Sequence, residues 1–394
     1  MSEMYEVAIV GAGPQALATA SYLLEADPRL AGRIAVLDPD HWLQGWHQRF
    51  RRLSIGALRS ACVHHPSPDP YALVNYAQSQ GRLAELTGSI GCPSAALFAD
   101  FCRSLIELHS LHRVRIQCRA VELRPDGTGI TVALKGGGTL RARRVVVASN
   151  PIRSLRPDIA TTPGIRHSDE LDLTRADVAG RRIVVVGGGL TAAQLAVAAV
   201  HRGASVRLLA RRRLVQRDLD VEPMWLGRAL PAFHRVRDPR LRADIARRAR
   251  GGGSIPATTR TQLARCAADT GRLRLHEDSP VESIEPHSGH WLVATERGTH
   301  SADEVWLATG HRLHLDNEPM LTWVGRRCPT QTAAGLPVTG PDLRWPGTPI
   351  YLCGGLATLA VGPTARNLAG ARMAAERICA SITGQLPRPA QYPS

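Results

Sequence analysis

Two short glycine-rich stretches hold the residues whose types and spacing could do chemistry in this chain of 394 residues. The first is Gly11-Ala12-Gly13-Pro14-Gln15-Ala16, and the second is Gly187-Gly188-Gly189-Leu190-Thr191-Ala192. Each comes after four apolar residues, Val7-Ala8-Ile9-Val10 and Ile183-Val184-Val185-Val186, and each leads into an alanine-rich stretch with helical spacing. A G-x-G-x-x-[GA] pattern between a strand and a helix suits a dinucleotide. Its first glycine makes the tight turn, its second lets backbone approach a pyrophosphate, and its last small residue keeps helix and strand close. The helix then offers free N–H groups and the positive end of its dipole to the phosphates. Pro14 costs nothing at a first helical position, where its missing N–H would be unpaired anyway.

The two stretches differ in how the next strand ends. The strand Ile34-Ala35-Val36-Leu37 ends on Asp38, whose carboxylate suits ribose hydroxyls and repels a 2′-phosphate. The strand Val206-Arg207-Leu208-Leu209 ends on Ala210-Arg211-Arg212-Arg213, where guanidinium groups suit a 2′-phosphate. The first site therefore reads as FAD and the second as NADP(H), with Gly187, Gly189, Leu190, Thr191, Arg211 and Arg212 as contacts. A solvated arginine cluster on a loop is the competing reading of residues 211–213.

The elements that must position these residues form an internal repeat. In each copy a strand, a glycine turn, a helix and a second strand are succeeded by short alternating strands and a buried closing strand. The closing strands end at Ala148-Ser149-Asn150 and Ala308-Thr309-Gly310. A further strand, Ile350-Tyr351-Leu352, precedes a last helix expected from about Thr364 to Ile382. The expected fold is α/β: two Rossmann-like dinucleotide-binding domains, for FAD and NADPH, each with a small antiparallel β-meander. Residues 1–175 would form the first part of the FAD-binding domain, 176–300 the NADPH-binding domain, and 301–394 the C-terminal part of the FAD-binding domain. Residues 151–173 read as the crossover, and the proline-bearing tail 387–394 as loose.

These residues resemble the two-dinucleotide-binding flavoproteins and, within them, the class B flavin monooxygenases. Leu43-Gln44-Gly45-Trp46 is similar to their G-x-W element beside the flavin, which assigns Gln44 and Trp46 to FAD. Gly354-Gly355, continuing to Gly362-Pro363-Thr364-Ala365-Arg366-Asn367, resembles their last flavin contact, where a helix N-terminus faces the pyrimidine end of the ring. The resemblance implies FAD contacts at Gly355, Pro363 and Thr364, at Arg59, and through the backbone of Val121. Gly310 falls to NADPH. A narrower likeness runs from His65-Pro66-Ser67-Pro68-Asp69-Pro70-Tyr71 to Asn75-Tyr76-Ala77-Gln78-Ser79-Gln80-Gly81-Arg82-Leu83. It is similar to the lysine and ornithine N-hydroxylases, and places His65, Gln80 and Asn367 near substrate. Gln80 stands where those enzymes have a lysine facing the substrate carboxylate, and Asp218 to Trp225 lacks their N-E-x-F pattern. The Baeyer–Villiger fingerprint is absent, with only a degenerate Pro163-Gly164-Ile165-Arg166-His167-Ser168 at the crossover.

The resemblance implies that NADPH reduces FAD and that a C4a-hydroperoxyflavin passes one oxygen to a soft nucleophile. His64 is the candidate for a hydrogen bond near flavin N5 or the peroxide; a turn histidine satisfied by backbone is the alternative. With Gln80 in place of lysine, the expected substrate is an amine or modified amino acid without a free carboxylate, in specialised metabolism. The alternative is that Arg59 or Arg82 supplies the missing charge. An S-oxygenating enzyme, an NADPH-dependent flavin reductase or oxidase without oxygen insertion, and a non-enzymatic nucleotide-binding protein are the other readings.

Composition narrows the partners. The net charge of +15 comes almost wholly from arginine, Lys135 being the single lysine, and reads as a coding bias rather than a nucleic-acid surface. No apolar run approaches the roughly 18 residues of a membrane span. The start lacks a secretory pattern, so a cytoplasmic location is expected. The eight cysteines include no C-x-x-C pair, which argues against a zinc site or a dithiol redox pair; no metal is expected. Dioxygen and a small amine are the expected partners, and a homo-oligomer is compatible with the sequence.

Overall fold

The computed structural model describes residues 4–160 and 162–387. Of the expected loose tail, 387–394, all but residue 387 lies outside the described residues.

The N-terminal strand β1 (Tyr5–Val10) is apolar because it is covered on both faces, Val7 to Val10 being buried. Helix α1 (Pro14–Ala26) starts on Gly13 and stops at Asp27-Pro28, where proline cannot continue it. Next come β2 (Ile34–Leu37), the helices α2 (Gln44–Arg52), α3 (Ala72–Ser79) and α4 (Ala95–Leu108), and β3 (Arg115–Ile116). Three more strands, β4 (Ala120–Pro125), β5 (Ile130–Leu134) and β6 (Thr139–Val147), make an antiparallel meander. The long strand β6 serves twice. Residues 139–142 pair with β5, and residues up to Val147 run parallel to β1.

The chain then passes through β7 (Ile152–Ser154) and β8 (Arg166–His167) to the second glycine turn. That turn joins β9 (Arg182–Val186) to α5 (Leu190–His201), succeeded by β10 (Ser205–Leu209), α6 (Pro239–Arg250), α7 (Ala257–Thr270) and β11 (Leu273–His276). The second meander is β12 (Val281–His287), β13 (His290–Thr295) and β14 (Gly298–Ala302). After β15 (Glu304–Leu307) the strand β16 (His311–Leu313) pairs back onto β7. Strand β17 (Ile350–Leu352) joins the first sheet beside β6, and α8 (Leu368–Thr383) packs on α1.

The first sheet has the order β3-β2-β1-β6-β5-β4, with β17 on β6; the second is β8-β15-β9-β10-β11, all parallel. Both β8 and β15 belong to the second sheet, which therefore begins before residue 176 and ends after residue 300, the positions expected from sequence. Helix α8 begins at Leu368 rather than near Thr364. Gly362, with φ +105°, and Pro363 fold the chain back so closely that a Cβ at Gly370 would stand 2.1 Å from the Thr364 carbonyl oxygen.

Three of the four phenylalanines (Phe98, Phe101 and Phe233) and the tryptophans Trp306 and Trp345 lie in the cores. Each such phenylalanine contributes about 2 kcal/mol of transfer free energy. The buried indoles stay satisfied, Trp306 donating to Glu304 at 2.7 Å and Trp345 to the Cys328 carbonyl at 2.7 Å. Among the described residues no helix is long and apolar enough to cross a membrane.

Candidate functional site

At the first turn, Gly11 has φ +108°, and a Cβ there would lie 3.0 Å from the Ala148 carbonyl oxygen on the next strand. Gly13 is different. It caps α1 without a side chain, and a Cβ on it meets nothing within 4 Å. The space over the helix N-terminus is a cradle that a side chain would fill, which is what a pyrophosphate requires. Pro14 takes the first helical position, and Ala16 is fully buried against the sheet. Gln15 donates through Nε2 to the carbonyls of Ala365 (3.3 Å) and Asn367 (3.4 Å), while its buried Oε1 has no partner. An orphaned acceptor beside an open cradle fits a ligand that brings a donor. Asp38, expected at a ribose, accepts from the Ala12 N–H at 2.7 Å and the Asp40 N–H at 2.8 Å, so it braces the turn. Its carboxylate retains lone pairs for hydroxyls. Val121 sits at a register shift between Ala120 and Glu122, where its backbone is outside the regular ladder.

Other expected FAD contacts are placed less directly. Gln44 binds Asp40 and the His41 N–H within its own turn. Trp46 stacks on Phe50 with centroids 4.0 Å apart. Gly355 is a packing glycine: its Cβ would come within 2.5 Å of the Leu313 side chain. Pro363 and Thr364 are buried, and the Thr364 hydroxyl faces the Met373 sulfur, leaving backbone as the means of contact. Arg59, also expected at FAD, is engaged elsewhere in this structure. Its guanidinium is spent on the carbonyls of Arg217, Asp218, Leu219 and Ser254 and on Asp220 at 3.3 Å, tying the first unit to the second.

At the second turn, Gly187 is locked, since a Cβ would stand 2.5 Å from the Ala308 carbonyl oxygen. Gly189 caps α5, ahead of Leu190 and Thr191. Here the cradle has a neighbour. Residues 251–253, three glycines with positive φ, come directly after α6 and bring the Gly253 Cα to 3.8 Å from a Cβ built on Gly189. Arg212 donates to the carbonyls of Gly251 and Gly253, Arg213 pairs with Asp278 at 3.4 Å, and Arg211 is exposed. Gly310 closes this unit with φ +89°, its carbonyl accepting from the Leu155 N–H at 3.0 Å and lying 3.2 Å from His167 Nε2.

The passage between units is a polar clasp. Asp169 meets His311 Nε2 at 2.5 Å, the Ser154 hydroxyl at 2.7 Å and His167 Nδ1 at 3.2 Å. Burial alone would raise the Asp169 pKa; the bonds from His167, His311 and Ser154 outweigh it and hold the carboxyl well below its usual range. His167, Asp169 and His311 together have metal-ligand composition. However, the ligands of a tetrahedral zinc ion stand about 3.3 Å apart, so the 2.5 Å Asp169–His311 contact is a direct hydrogen bond with no room for an ion between.

The expected substrate-side residues scatter. His65 is fully buried against Phe101, with Nε2 3.2 Å from the Pro70 carbonyl, and burial pushes its pKa down to about 3. It sits in the core, with no exposed surface to offer a substrate in this structure. Gln80 is exposed at the end of α3 and, among the described residues, its side chain reaches only Ser79. Asn367 caps α8, accepting from the Gly370 N–H at 3.0 Å. Arg82 is consumed by Glu85 (2.6 Å) and Asp100 (2.7 Å), so neither it nor Arg59 has charge to spare. His64 is half-buried near the Ser60 hydroxyl; desolvation and Arg372 lower its pKa. Arg372 carries no sequence signal of its own. From α8 it donates to the carbonyls of His65, Ser67 and Pro68 and fixes the whole loop. Nothing local marks such a clamp, because its acceptors lie some 300 residues away.

Comparison with known proteins agrees with this architecture. A pyridine nucleotide-disulphide oxidoreductase model matches residues 5–224. Among solved structures, an ornithine N-hydroxylase from Kutzneria sp. 744 superposes with a TM-score of 0.78 at 20% identity, covering 96% of this chain and 99% of that one. A cadaverine monooxygenase from Erwinia amylovora gives 0.77 at 15% identity, covering all of both chains. An ornithine hydroxylase from Pseudomonas aeruginosa gives 0.75 at 17%, covering 97% and 99%. At these identities the likeness is one of fold. With the family model spanning more than half its length over the first nucleotide turn and into the second unit, the chain belongs to the pyridine nucleotide-disulphide oxidoreductase family.

Proposed function

We propose that this protein is an FAD- and NADPH-dependent monooxygenase that N-hydroxylates a small amine. The observation that carries the reading is the pair of nucleotide turns in one chain, the first with an open cradle at Gly13 and an orphaned acceptor on Gln15. It is supported by full-length likeness to solved enzymes whose names state N-hydroxylation of ornithine or oxygenation of cadaverine. One of those structures holds reduced FAD, NADP+ and L-ornithine together.

In this reading Gly11, Gly13 and the α1 N-terminus hold the FAD pyrophosphate, Asp38 reads the ribose, and Val121 offers backbone to the adenine. The backbone of residues 363–367, ahead of α8, faces the isoalloxazine. Gly187, Gly189, Leu190 and Thr191 seat the second pyrophosphate, and Arg211 is exposed for a 2′-phosphate. FAD, when bound, supplies the redox and oxygen-transfer chemistry. The protein orients both nucleotides and keeps water out. His64, with its lowered pKa, is neutral at pH 7 and able to hold a proton on one ring nitrogen while accepting at the other.

The reductase reading needs a redox-active cysteine pair or another electron acceptor. All eight cysteines are free, and Cys102, Cys266, Cys353 and Cys379 are buried, their thiol pKa values raised by desolvation. The deciding experiment tracks NADPH consumption with a panel of amines and compares hydroxylamine formed with peroxide released. A near-stoichiometric hydroxylamine yield from one amine is expected. Quantitative peroxide with every amine would replace the reading with an oxidase.

A further inference from the structure

Arg366 stands apart from most of the other arginines that meet between the two units. Its backbone is pinned on both sides, because Gln15 of the first nucleotide turn donates to the carbonyls of Ala365 and Asn367. Its guanidinium has no hydrogen bond or ion pair among the described residues. The acid beside it is already committed: Asp220 meets Arg59 at 3.3 Å through Oδ1 and Arg250 at 3.2 Å through Oδ2. Arg250 also donates to the Pro363 carbonyl at 3.4 Å, which brings the end of α6 against the same turn. Arg49 of α2 faces the group as well, its own acid Asp169 standing at 3.8 Å. Arg366 is solvent-accessible, yet burial pushes its pKa down to about 10, with Arg250 adding to the effect. The side chain is thus exposed where α2, α6 and the turn before α8 come together.

We propose that Arg366 is the anion-reading residue of the substrate site, so that the amine this enzyme takes carries a carboxylate. The proposal rests on the monooxygenase reading for calling the ligand a substrate. It also reverses the expectation drawn from Gln80: the cation missing at the end of α3 is supplied from the turn that precedes α8. An unpaired guanidinium with surplus positive charge around it accepts a carboxylate in fork geometry, and a cationic diamine is repelled from the same place.

The test uses the FAD-loaded enzyme with NADP+ present and three probes of similar length: glutarate, 5-aminopentanoate and cadaverine. Binding is measured by isothermal titration and by the flavin difference spectrum, with no turnover required. Glutarate and 5-aminopentanoate should bind at least ten-fold more tightly than cadaverine. Arg366→Gln should weaken both carboxylates at least ten-fold and leave cadaverine unchanged, and Arg366→Lys, which keeps the charge, should recover most of the loss. Equal binding of cadaverine, or undiminished carboxylate binding by Arg366→Gln, overturns the proposal. So does an Arg366→Gln effect confined to NADP+ affinity, which would assign the cation to a dinucleotide phosphate. Carboxylate binding accompanied only by peroxide in turnover would remove the monooxygenase reading and leave the anion site standing.

Discussion

The two glycine turns share one local plan and end in different surroundings. In the first, Gly13 faces empty space, and the turn is tied through Gln15 to carbonyls 350 and 352 residues away. In the second, Gly189 faces the triglycine segment 251–253, whose carbonyls also hold Arg212. The motif dictates strand, turn and helix in both. What approaches the cradle is decided by distant segments. The first cradle is walled by the C-terminal part of the chain, as suits a resident group. The second is bordered by a segment in which every residue is glycine, able to give way to a ligand that comes and goes.

Glycine substitutions should break this comparison most sharply. Gly187→Ala puts a Cβ 2.5 Å from the Ala308 backbone oxygen, where only backbone movement relieves the clash, and should cost about 3 kcal/mol of stability. Gly13→Val puts its Cβ within 4 Å of no atom, so the protein should fold and lose its FAD. Thermal unfolding and flavin content read the two outcomes; a flavinated Gly13→Val protein would show that the first cradle holds no pyrophosphate.

The arginines come next. The unaltered protein should prefer NADPH to NADH by ten-fold or more, about 1.4 kcal/mol. Arg211→Ala should remove most of that preference, and Arg212→Ala less, since Arg212 is already occupied by the Gly251 and Gly253 carbonyls. Steady-state kinetics with both nucleotides measure it. A larger loss from Arg212 would mean that residues 251–253 release its guanidinium when the nucleotide binds.

The clasp between units predicts a pH dependence. The folded-state pKa of Asp169 is depressed, so its contribution to stability is present above the ordinary carboxylate range and is lost as pH falls through it. The melting temperature should therefore drop below about pH 4, and Asp169→Asn should be less stable at pH 7 with a flatter acid limb. The smallest effect belongs to His65. His65→Leu leaves the Pro70 carbonyl without its ring nitrogen and should cost about 1 kcal/mol, with substrate KM unchanged. A large rise in KM would restore His65 to the substrate site.

Much of the framework is legible in the sequence because it is local. Periodic apolar runs between glycine turns specify β1, α1, β9 and α5, and Asp38 and Arg211 are found simply by tracing the second strand to its end. Strand β17 stands out for the same reason, being three buried apolar residues between turns. The start of α8 is not legible in this way, because the return of residues 362–367 over its first turn depends on a glycine at 370, inside the helix.

Side-chain roles around the site are legible only in part, for a physical reason. An arginine carries five donors on a long stem, and its sequence neighbours do not say which carbonyl or carboxylate will take them. Arg59 and Arg82 read as available for a ligand, and tertiary contacts consume both. His65 reads as a site residue, and packing on Phe101 buries it. Arg366 has nothing to distinguish it in a chain rich in arginine, and folding leaves it without a partner beside an aspartate that two others have taken. Sequence alone determined that two glycine turns of one plan exist, each between a strand and a helix, because strand, turn and helix are set by neighbouring residues. Which cations remain free to meet a substrate was decided by the tertiary structure, because charge is neutralised by whatever the fold brings within about 4 Å, however far away it lies in the chain.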